Sequence, residues 1–112
     1  MFKFLKHWTK PKNVNSKRFK MEMARHLNKR HIKYVTERIG DTDEIIGREG
    51  EILMRGDELI VYASTDIVFR ARIEEMTAGE LLSLEGAVLT APDQTRGGEV
   101  RTIVAYYKYW RK

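Results

Sequence analysis

The feature that most restricts the fold of this chain is a series of short apolar runs, separated by turn residues, that begins at residue 32. The runs recur at intervals of about 8–12 residues, a spacing typical of antiparallel strands in small all-β domains. The most regular alternation places one set of apolar side chains on a single face, at Ile67, Phe69, Ala71 and Ile73. Six or seven such strands predict a mainly β (α+β) fold, namely a small antiparallel β-barrel or curled sheet with an N-terminal basic helix.

The residues between these runs predict different kinds of connection. Gly56-Asp57 separates two apolar runs by two residues, and a glycine at the first turn position predicts a type II′ hairpin. Residues 75–79 are predicted to form a loop or a single helical turn. Residues 81–91 are predicted to form one long strand with a bulge or bend at Gly86. The polar cluster at residues 92–99 predicts a turn before the last strand.

The apolar positions of the runs predict the hydrophobic core. A chain of 112 residues with 42% hydrophobic residues is large enough to build one core without a metal or a disulfide. The predicted core residues are Ile52, Met54, Leu59, Val61, Ile67, Phe69, Ile73, Leu84, Val88 and Ile103.

The segment before the strands, residues 17–31, follows a helical period instead. Its apolar residues recur every four positions, at Phe19, Met23 and Leu27. They form one narrow stripe on a strongly basic helix. Asn15 or Ser16 is the predicted N-cap, since its side-chain oxygen can accept a hydrogen bond from a free backbone N–H.

Charge divides the chain near the same place. Residues 1–38 hold 12 Lys and Arg and two acids, whereas residues 39–112 hold 9 Lys and Arg and 14 acids. The two halves have balances of +10 and −5. We therefore divide the chain into a basic N-terminal arm and helix (residues 1–31) and an antiparallel β-domain (residues 32–112), and expect the basic part to contact something anionic.

The basic helix is the first candidate for that contact. Its Lys and Arg side chains can run along nucleic-acid phosphates, a contact that depends on salt and not on base sequence. The predicted anion-contacting residues are Lys17, Arg18, Lys20, Arg25, Lys29 and Arg30. A helix that packs on the acidic β-domain of its own chain would need no partner.

Aromatic residues at the end of the last strand are the second candidate. Bases of a single-stranded nucleic acid can stack on such rings, and the predicted stacking residues are Tyr107, Tyr109 and Trp110. Together with the basic helix they make a nucleic-acid-binding protein one alternative for the function. Tyr and Trp are also ordinary strand residues, however.

The first residues of the chain offer a third contact. Apolar side chains alternate there with lysines, at Phe2, Phe4, Leu5 and Trp8. Such a segment can bind an anionic membrane peripherally, with the lysines on the headgroups, and this is a second alternative. In the opposing interpretation, the same apolar residues pack on the sheet.

Motifs for catalysis are not evident. The chain has no cysteine, which removes disulfides, thiol catalysis and thiolate metal sites. His26 and His31 are five positions apart, so they do not share a helix face, and His7 is remote. Arg96-Gly97-Gly98 precedes a strand and not a helix, so we interpret it as a hairpin tip and not as a phosphate loop. We expect no enzymatic activity, no catalytic residues, no metal and no cofactor.

Targeting signals are also not evident. No segment approaches the ~20 consecutive apolar residues of a membrane span. The first nine residues lack the apolar run and the cleavage site of a signal peptide. We therefore expect a cytoplasmic protein.

The stretch GEILMRGDELIVYASTDIVFRARIEEMTAGELLSLEGAVLTA, continued by VRTIVAYYKYW, resembles small uncharacterised proteins of Gram-positive bacteria. The resemblance covers residues 32–112 and rests on the strand pattern. It implies a bacterial protein, and it assigns no activity and no functional residue. The order of strands also looks like that of pleckstrin-homology-like barrels, although those end in a helix and this chain ends in a strand.

These observations lead to one expectation for function. We expect a non-enzymatic binding or adaptor module whose basic arm contacts an acidic partner. The partner is expected to be a protein, including a second copy of the same chain, since exposed strand edges can pair and form a homodimer.

Overall fold

The structure is a computed structural model that describes residues 16–108. Within these residues the chain forms one helix, α1 (Lys17–Leu27), and seven strands. The strands are β1 (His31–Ile39), β2 (Thr42–Arg55), β3 (Glu58–Ala63), β4 (Asp66–Arg72), β5 (Thr77–Glu80), β6 (Gly86–Asp93) and β7 (Glu99–Tyr107). Short 3-10 turns follow β4 at Ile73–Glu75 and β6 at Gln94–Arg96. The predicted mainly β fold is confirmed.

All seven strands belong to one antiparallel sheet with the order β4-β3-β2-β1-β7-β6-β5. Two meanders, β1 to β4 and β5 to β7, are joined where β1 pairs with β7. The sheet is not closed, because β4 and β5 stand at opposite edges. It is strongly curled, since the backbone N–H of Arg70 in β4 reaches the carboxylate of Asp93 at the end of β6. The curled-sheet alternative is therefore the correct one.

The turns confirm part of the sequence interpretation. The β2–β3 connection is the two-residue turn Gly56-Asp57, with a positive φ of 62° at Gly56. Gln94–Arg96 and the two glycines after it form the predicted hairpin tip, and Gly97 and Gly98 have positive φ angles of 64° and 90°.

The prediction of one long strand over residues 81–91 is wrong. The backbone N–H of Leu81 donates to Gly86 (2.9 Å) and that of Leu84 donates to Leu81 (2.8 Å), so the chain reverses there. β5 lies before this turn, in a segment predicted to be a loop, and β6 begins at Gly86. Consequently, Leu84 is 52% exposed and does not belong to the core.

Ile67 is a second correction to the predicted core, because it is 40% exposed. The register between β3 and β4 shifts at a bulge, which places Phe69 opposite Val61 but Ile67 opposite Tyr62. The additional residue, Val68, reverses the side to which Ile67 points. Strict alternation therefore holds only from Phe69 onward.

The rest of the predicted core is confirmed with two partial cases. Met54 and Val88 are half-buried. The fully buried members of the prediction are Ile52, Leu59, Val61, Phe69, Ile73 and Ile103. Sequence reasoning missed further buried side chains, at Ile32, Val35, Met76 and Leu89.

Helix α1 covers one end of the curled sheet. Met23, Ala24 and Leu27 are buried in the same hydrophobic cluster as the sheet residues, and Phe19 packs against that cluster. The predicted apolar stripe is thus confirmed, and the helix shares its core with the β-domain.

Both ends of α1 are fixed by polar contacts. Ser16 is the N-cap, and its hydroxyl accepts from the backbone N–H of Phe19 at 3.1 Å. After the helix, Asn28 accepts from the N–H of Met54 through its side-chain oxygen (2.7 Å), and Ile52 donates to the carbonyl of Arg30 (3.0 Å). The helix therefore ends at Leu27, four residues earlier than predicted, because the chain joins β2 there.

We expect Phe69→Ala to lower the free energy of unfolding by about 3–5 kcal/mol, because Phe69 is fully buried and the substitution leaves a cavity. Ile67→Ala is the control on the same strand and should change stability by about 0.5 kcal/mol or less. Urea denaturation followed by circular dichroism measures both. Equal losses for the two variants would contradict the face assignment.

Candidate functional site

Four of the six predicted anion-contacting residues lie on the outward side of α1 or just after it, since Lys29 follows the last helical residue, Leu27. Lys17, Arg18, Arg25 and Lys29 are exposed, and we call them the basic face. The arrangement follows from the apolar stripe, since burying Met23 and Leu27 turns the opposite side of the helix to solvent.

The basic face is not uniformly positive. Glu22 lies between Arg18 and Arg25 at i, i+4 and i+7, which places the three side chains along one line of the helix. It pairs with Arg18 at 3.6 Å, and both side chains are largely exposed. Such an exposed pair contributes little to stability.

The other two predicted residues contact their own chain. The ammonium of Lys20 donates to the carbonyl of Glu74 at 2.9 Å. The guanidinium of Arg30 lies over the ring of Tyr107, 3.6 Å from its centre. The structure therefore separates the six cations into four on the basic face and two that hold α1 and the following segment against the β-domain.

A polar cluster ties the C-terminal half of α1 to β5 and β7. Glu80 lies at its centre, and one of its carboxylate oxygens is 3.2 Å from Nε2 of His26 and accepts from the hydroxyl of Tyr107 at 2.7 Å. Hydrogen bonding to His26 holds the pKa of Glu80 below its ordinary value of 4.5. The same hydrogen bond raises the pKa of His26 above 6.5, although burial and the nearby Arg30 oppose this.

Tyr107 has a different position from the one that base stacking requires. Its side chain is 7% exposed, with Arg30 over one side of the ring and Glu80 on its hydroxyl. Burial is the main cause that raises the pKa of its phenol, and the hydrogen bond to Glu80 is the second. The hydroxyl therefore stays protonated and continues to donate. A base cannot reach this ring without opening the core, which removes Tyr107 from the stacking set.

The remaining predicted contact residues cannot be placed. Tyr109, Trp110 and the arm that contains Phe4 and Trp8 lie outside the described residues.

Sequence reasoning missed a buried ion cluster at the end of the sheet opposite α1. Arg101 of β7 is 3% exposed and binds Glu37 of β1 through two hydrogen bonds, from Nε (3.0 Å) and Nη2 (2.7 Å). Its Nη1 donates to Asp93 and also to the carbonyl of Val68 in β4 at 3.0 Å. The Arg101 cluster thus joins the edge strand β4 to β1, β6 and β7.

Asp93 is fully buried and fully engaged. Besides Arg101, it accepts from the backbone N–H of Arg70 (3.1 Å) and from both the N–H (2.9 Å) and the hydroxyl (2.8 Å) of Thr95. Hydrogen bonding from Arg101 holds the pKa of Glu37 below 4.5. A carboxylate whose pKa is lowered in this way is a weak base, which does not favour general acid–base catalysis near neutral pH.

One signal in the sequence pointed to this cluster. Arg101 has the same parity along β7 as the buried residues Ile103 and Ala105, so an arginine stands at a core-facing position. The partners could not be inferred, because Glu37 lies 64 positions away along the chain.

A shallow cleft of about 300 Å³ opens beside the Arg101 cluster. Arg101 forms part of its wall, and the remaining lining is Ile46, Asp66, Ile67, Val68, Thr95 and Arg96. The cleft mixes apolar side chains with both signs of charge, and its one buried cation is already bound by two carboxylates.

The described part of the chain shows neither a metal cluster nor a membrane-spanning helix. Within residues 16–108 there is no group of three or more His, Cys, Asp or Glu side chains placed to hold a metal ion. None of the helical segments in this range has the length and apolar character that crossing a bilayer requires.

Comparison with known proteins adds no family. No protein-family model, no curated protein and no solved structure matches this chain.

We expect Arg101→Met to lower the free energy of unfolding by about 3–5 kcal/mol, because it leaves the buried carboxylate of Asp93 without its cation. The matched control is Arg70→Met, which removes an exposed pair with Glu58 and should cost less than about 1 kcal/mol. Urea melts at neutral pH measure both variants. A similar small loss for both would show that the Arg101 cluster does not hold the sheet.

We expect the contact between His26 and Glu80 to make stability depend on pH. The raised pKa of His26 gives a contribution that is complete below pH 6.5 and fades as the pH rises through the folded-state value. The lowered pKa of Glu80 gives a stability contribution that is present above pH 4.5 and is lost as the pH falls through the folded-state value. The contact is thus strongest between these two values.

His26→Gln should remove this dependence. His26 is about half exposed, so we expect the variant to lose less than about 1 kcal/mol of unfolding free energy at pH 5.5. The loss should be smaller at pH 8, and urea denaturation at both pH values measures it. His31→Gln, at a more exposed histidine 3.9 Å from Glu51, is the control. The same pH profile for wild type and His26→Gln would refute the prediction.

Proposed function

We propose that this chain is a non-enzymatic binding or adaptor module that contacts an acidic partner through the basic face of α1. The observation that supports this most directly is the way in which the helix is docked. Its apolar stripe and the segment after its C-terminal end are held by the β-domain, while Lys17, Arg18, Arg25 and Lys29 are exposed. The helix is thus a fixed platform with cations on its free side. A cytoplasmic setting is part of the proposal.

Rigid presentation favours binding for a physical reason. Ordering a helix during binding costs conformational free energy, and a helix that is already docked avoids that cost. α1 is tied to β2 at Asn28 and Arg30 and to the 3-10 turn after β4 at Lys20. The backbone of α1 is therefore held in place before any contact with a partner.

Nucleic acid is the less favoured acidic partner. The ring of Tyr107 is buried in the core, so it does not offer a surface for base stacking. Glu22 also interrupts the line of cations that would follow a phosphate backbone. An acidic protein surface or an anionic membrane needs neither stacking nor an unbroken line of cations.

A homodimer formed by strand pairing has little support at the β4 edge. The backbone N–H of Arg70 already donates to Asp93, and the carbonyl of Val68 accepts from Arg101. Edge groups that are bonded within the chain do not template a second copy. We therefore propose that the β4 edge does not form a homodimer by strand pairing.

The experiment compares two triple variants with the same loss of charge. Lys17→Gln/Arg25→Gln/Lys29→Gln neutralises the basic face, and Lys33→Gln/Arg48→Gln/Arg55→Gln neutralises exposed residues of β1 and β2. Binding of polyglutamate, of a single-stranded oligonucleotide and of anionic vesicles is titrated for each at physiological salt. We expect the first variant to weaken binding of at least one probe on the order of tenfold, and the second to weaken it much less.

Each probe separates one class of partner. Loss on polyglutamate alone indicates an acidic protein, and loss on vesicles indicates a membrane. Selective loss on the oligonucleotide would favour nucleic acid instead. Equal behaviour of the two triple variants on every probe would reject the basic face as the contact surface.

A further inference from the structure

The turn between β5 and β6 exposes two large apolar side chains that are two positions apart in the sequence. Leu82 is 76% exposed and Leu84 is 52% exposed. A turn of this kind is usually built from polar residues and glycine, which satisfy the turn geometry without exposing apolar surface. We call residues 81–85 the leucine turn.

Leu84 is also in an unfavourable backbone conformation. Its φ of 63° lies in the left-handed region, where glycine and asparagine are favoured and an apolar side chain has no compensating hydrogen bond. The turn is nevertheless well formed, since Leu84 donates to Leu81 (2.8 Å) and Leu81 donates to Gly86 (2.9 Å). The position therefore keeps a leucine where backbone geometry prefers another residue, and exposed strain of this kind points to a role.

The leucine turn lies beside the C-terminal half of α1. Glu80 precedes the turn, and its carboxylate is hydrogen-bonded to His26. Glu85 is the last residue of the turn, and its backbone carbonyl accepts from the backbone N–H of Tyr107 at 2.9 Å. The guanidinium of Arg30 covers the ring of that same Tyr107. Arg25 and Lys29 of the basic face are neighbours of His26 and Arg30 along the chain, and the turn itself holds one acid, Glu85.

We propose that Leu82 and Leu84 insert into the interfacial layer of an anionic lipid bilayer while cations at the C-terminal end of α1 contact the headgroups. This rests on the proposed function and names the acidic partner of the basic face as a membrane. Apolar insertion and headgroup attraction are each weak for a small surface, and their combination gives reversible attachment.

The shape of the surface favours a bilayer over a protein. The exposed leucines are in the turn of a hairpin, and the cations belong to the C-terminal half of α1 and the segment just after it. A bilayer interface accepts both at once without a matching pocket, whereas a protein partner would need a pocket for the leucines and acids placed around it.

The first test uses Leu82→Ser/Leu84→Asn. Asparagine suits the backbone at position 84, so we expect the variant to melt at the same temperature as wild type or higher. Sedimentation with vesicles of 70% phosphatidylcholine and 30% phosphatidylglycerol measures binding. We expect its partition coefficient to fall on the order of tenfold, and pure phosphatidylcholine vesicles to bind both proteins weakly.

The matched control removes two exposed apolar side chains elsewhere. Ile39 is 49% exposed and Val100 is 64% exposed, and both lie outside the leucine turn. Ile39→Thr/Val100→Thr should leave vesicle binding unchanged. An equal loss in the control would mean that general surface hydrophobicity, and not the leucine turn, drives binding.

The second test uses the fact that the chain has no cysteine. A single Ser83→Cys, labelled with a polarity-sensitive fluorophore, reports on the turn, and Asp41→Cys reports on the β1–β2 hairpin tip. We expect a blue shift at position 83 on anionic vesicles and none at position 41.

The outcomes separate this inference from the proposed function. If Leu82→Ser/Leu84→Asn binds vesicles as wild type does while neutralising the basic face abolishes binding, the insertion is refuted and the basic face stands. If wild type binds polyglutamate through the basic face but not vesicles, the partner is a protein and the membrane is refuted. If neutralising the basic face has no effect on any probe, the proposed function fails as well.

Discussion

The curl of the sheet is stabilised by contacts that join the edge strand β4 to β6 and β7, and Arg101 lies at their centre. β4 and β7 are separated by β3, β2 and β1 in the sheet, so no ladder of backbone hydrogen bonds can bring them together. Arg101 does so with its side chain, because it donates to a β4 carbonyl while two carboxylates hold its charge. Burying an ion cluster in this way adds little net stability compared with apolar packing, but removing one member is costly. The cluster therefore determines where the edge of the sheet lies more than how stable the protein is.

The opposite end of the sheet is closed by apolar packing instead. Met23, Ala24 and Leu27 fill that end, and polar contacts around His26, Lys20 and Asn28 only fix the orientation of the helix. This difference has a functional consequence. Because the helix is held mainly by its apolar side, Lys17, Arg18 and Arg25 stay exposed. A helix held by ion pairs with the β-domain would instead have its cations engaged in those pairs.

Local pattern predicted most of the elements but did not determine all of their bounds and faces. The helix stripe, its cap and the Gly56 turn followed from spacing and turn chemistry, because these depend on neighbours within four residues. Ile67 and Leu84 were misassigned because a bulge and a chain reversal change which side of a strand a residue occupies, and both are decided by pairing with distant strands. The same limit hid Glu37 and Asp93 as partners of Arg101. A buried position for Arg101 could be seen from its parity, but the identity of its anions required the fold.

For the candidate surface, too, the residues can be recognised from the sequence but their proximity in the fold cannot. The cations of α1 are visible in the sequence, and so are the leucines of residues 81–85, but nothing in the sequence brings the two segments together. That contact is made by Glu80 and Tyr107, which join β5 and β7 to the helix through His26 and Arg30. A leucine in the left-handed region beside these cations makes physical sense when an apolar phase is available to it. The strain at Leu84 and the free charge of α1 are thus two properties that a single contact with an anionic bilayer would use together.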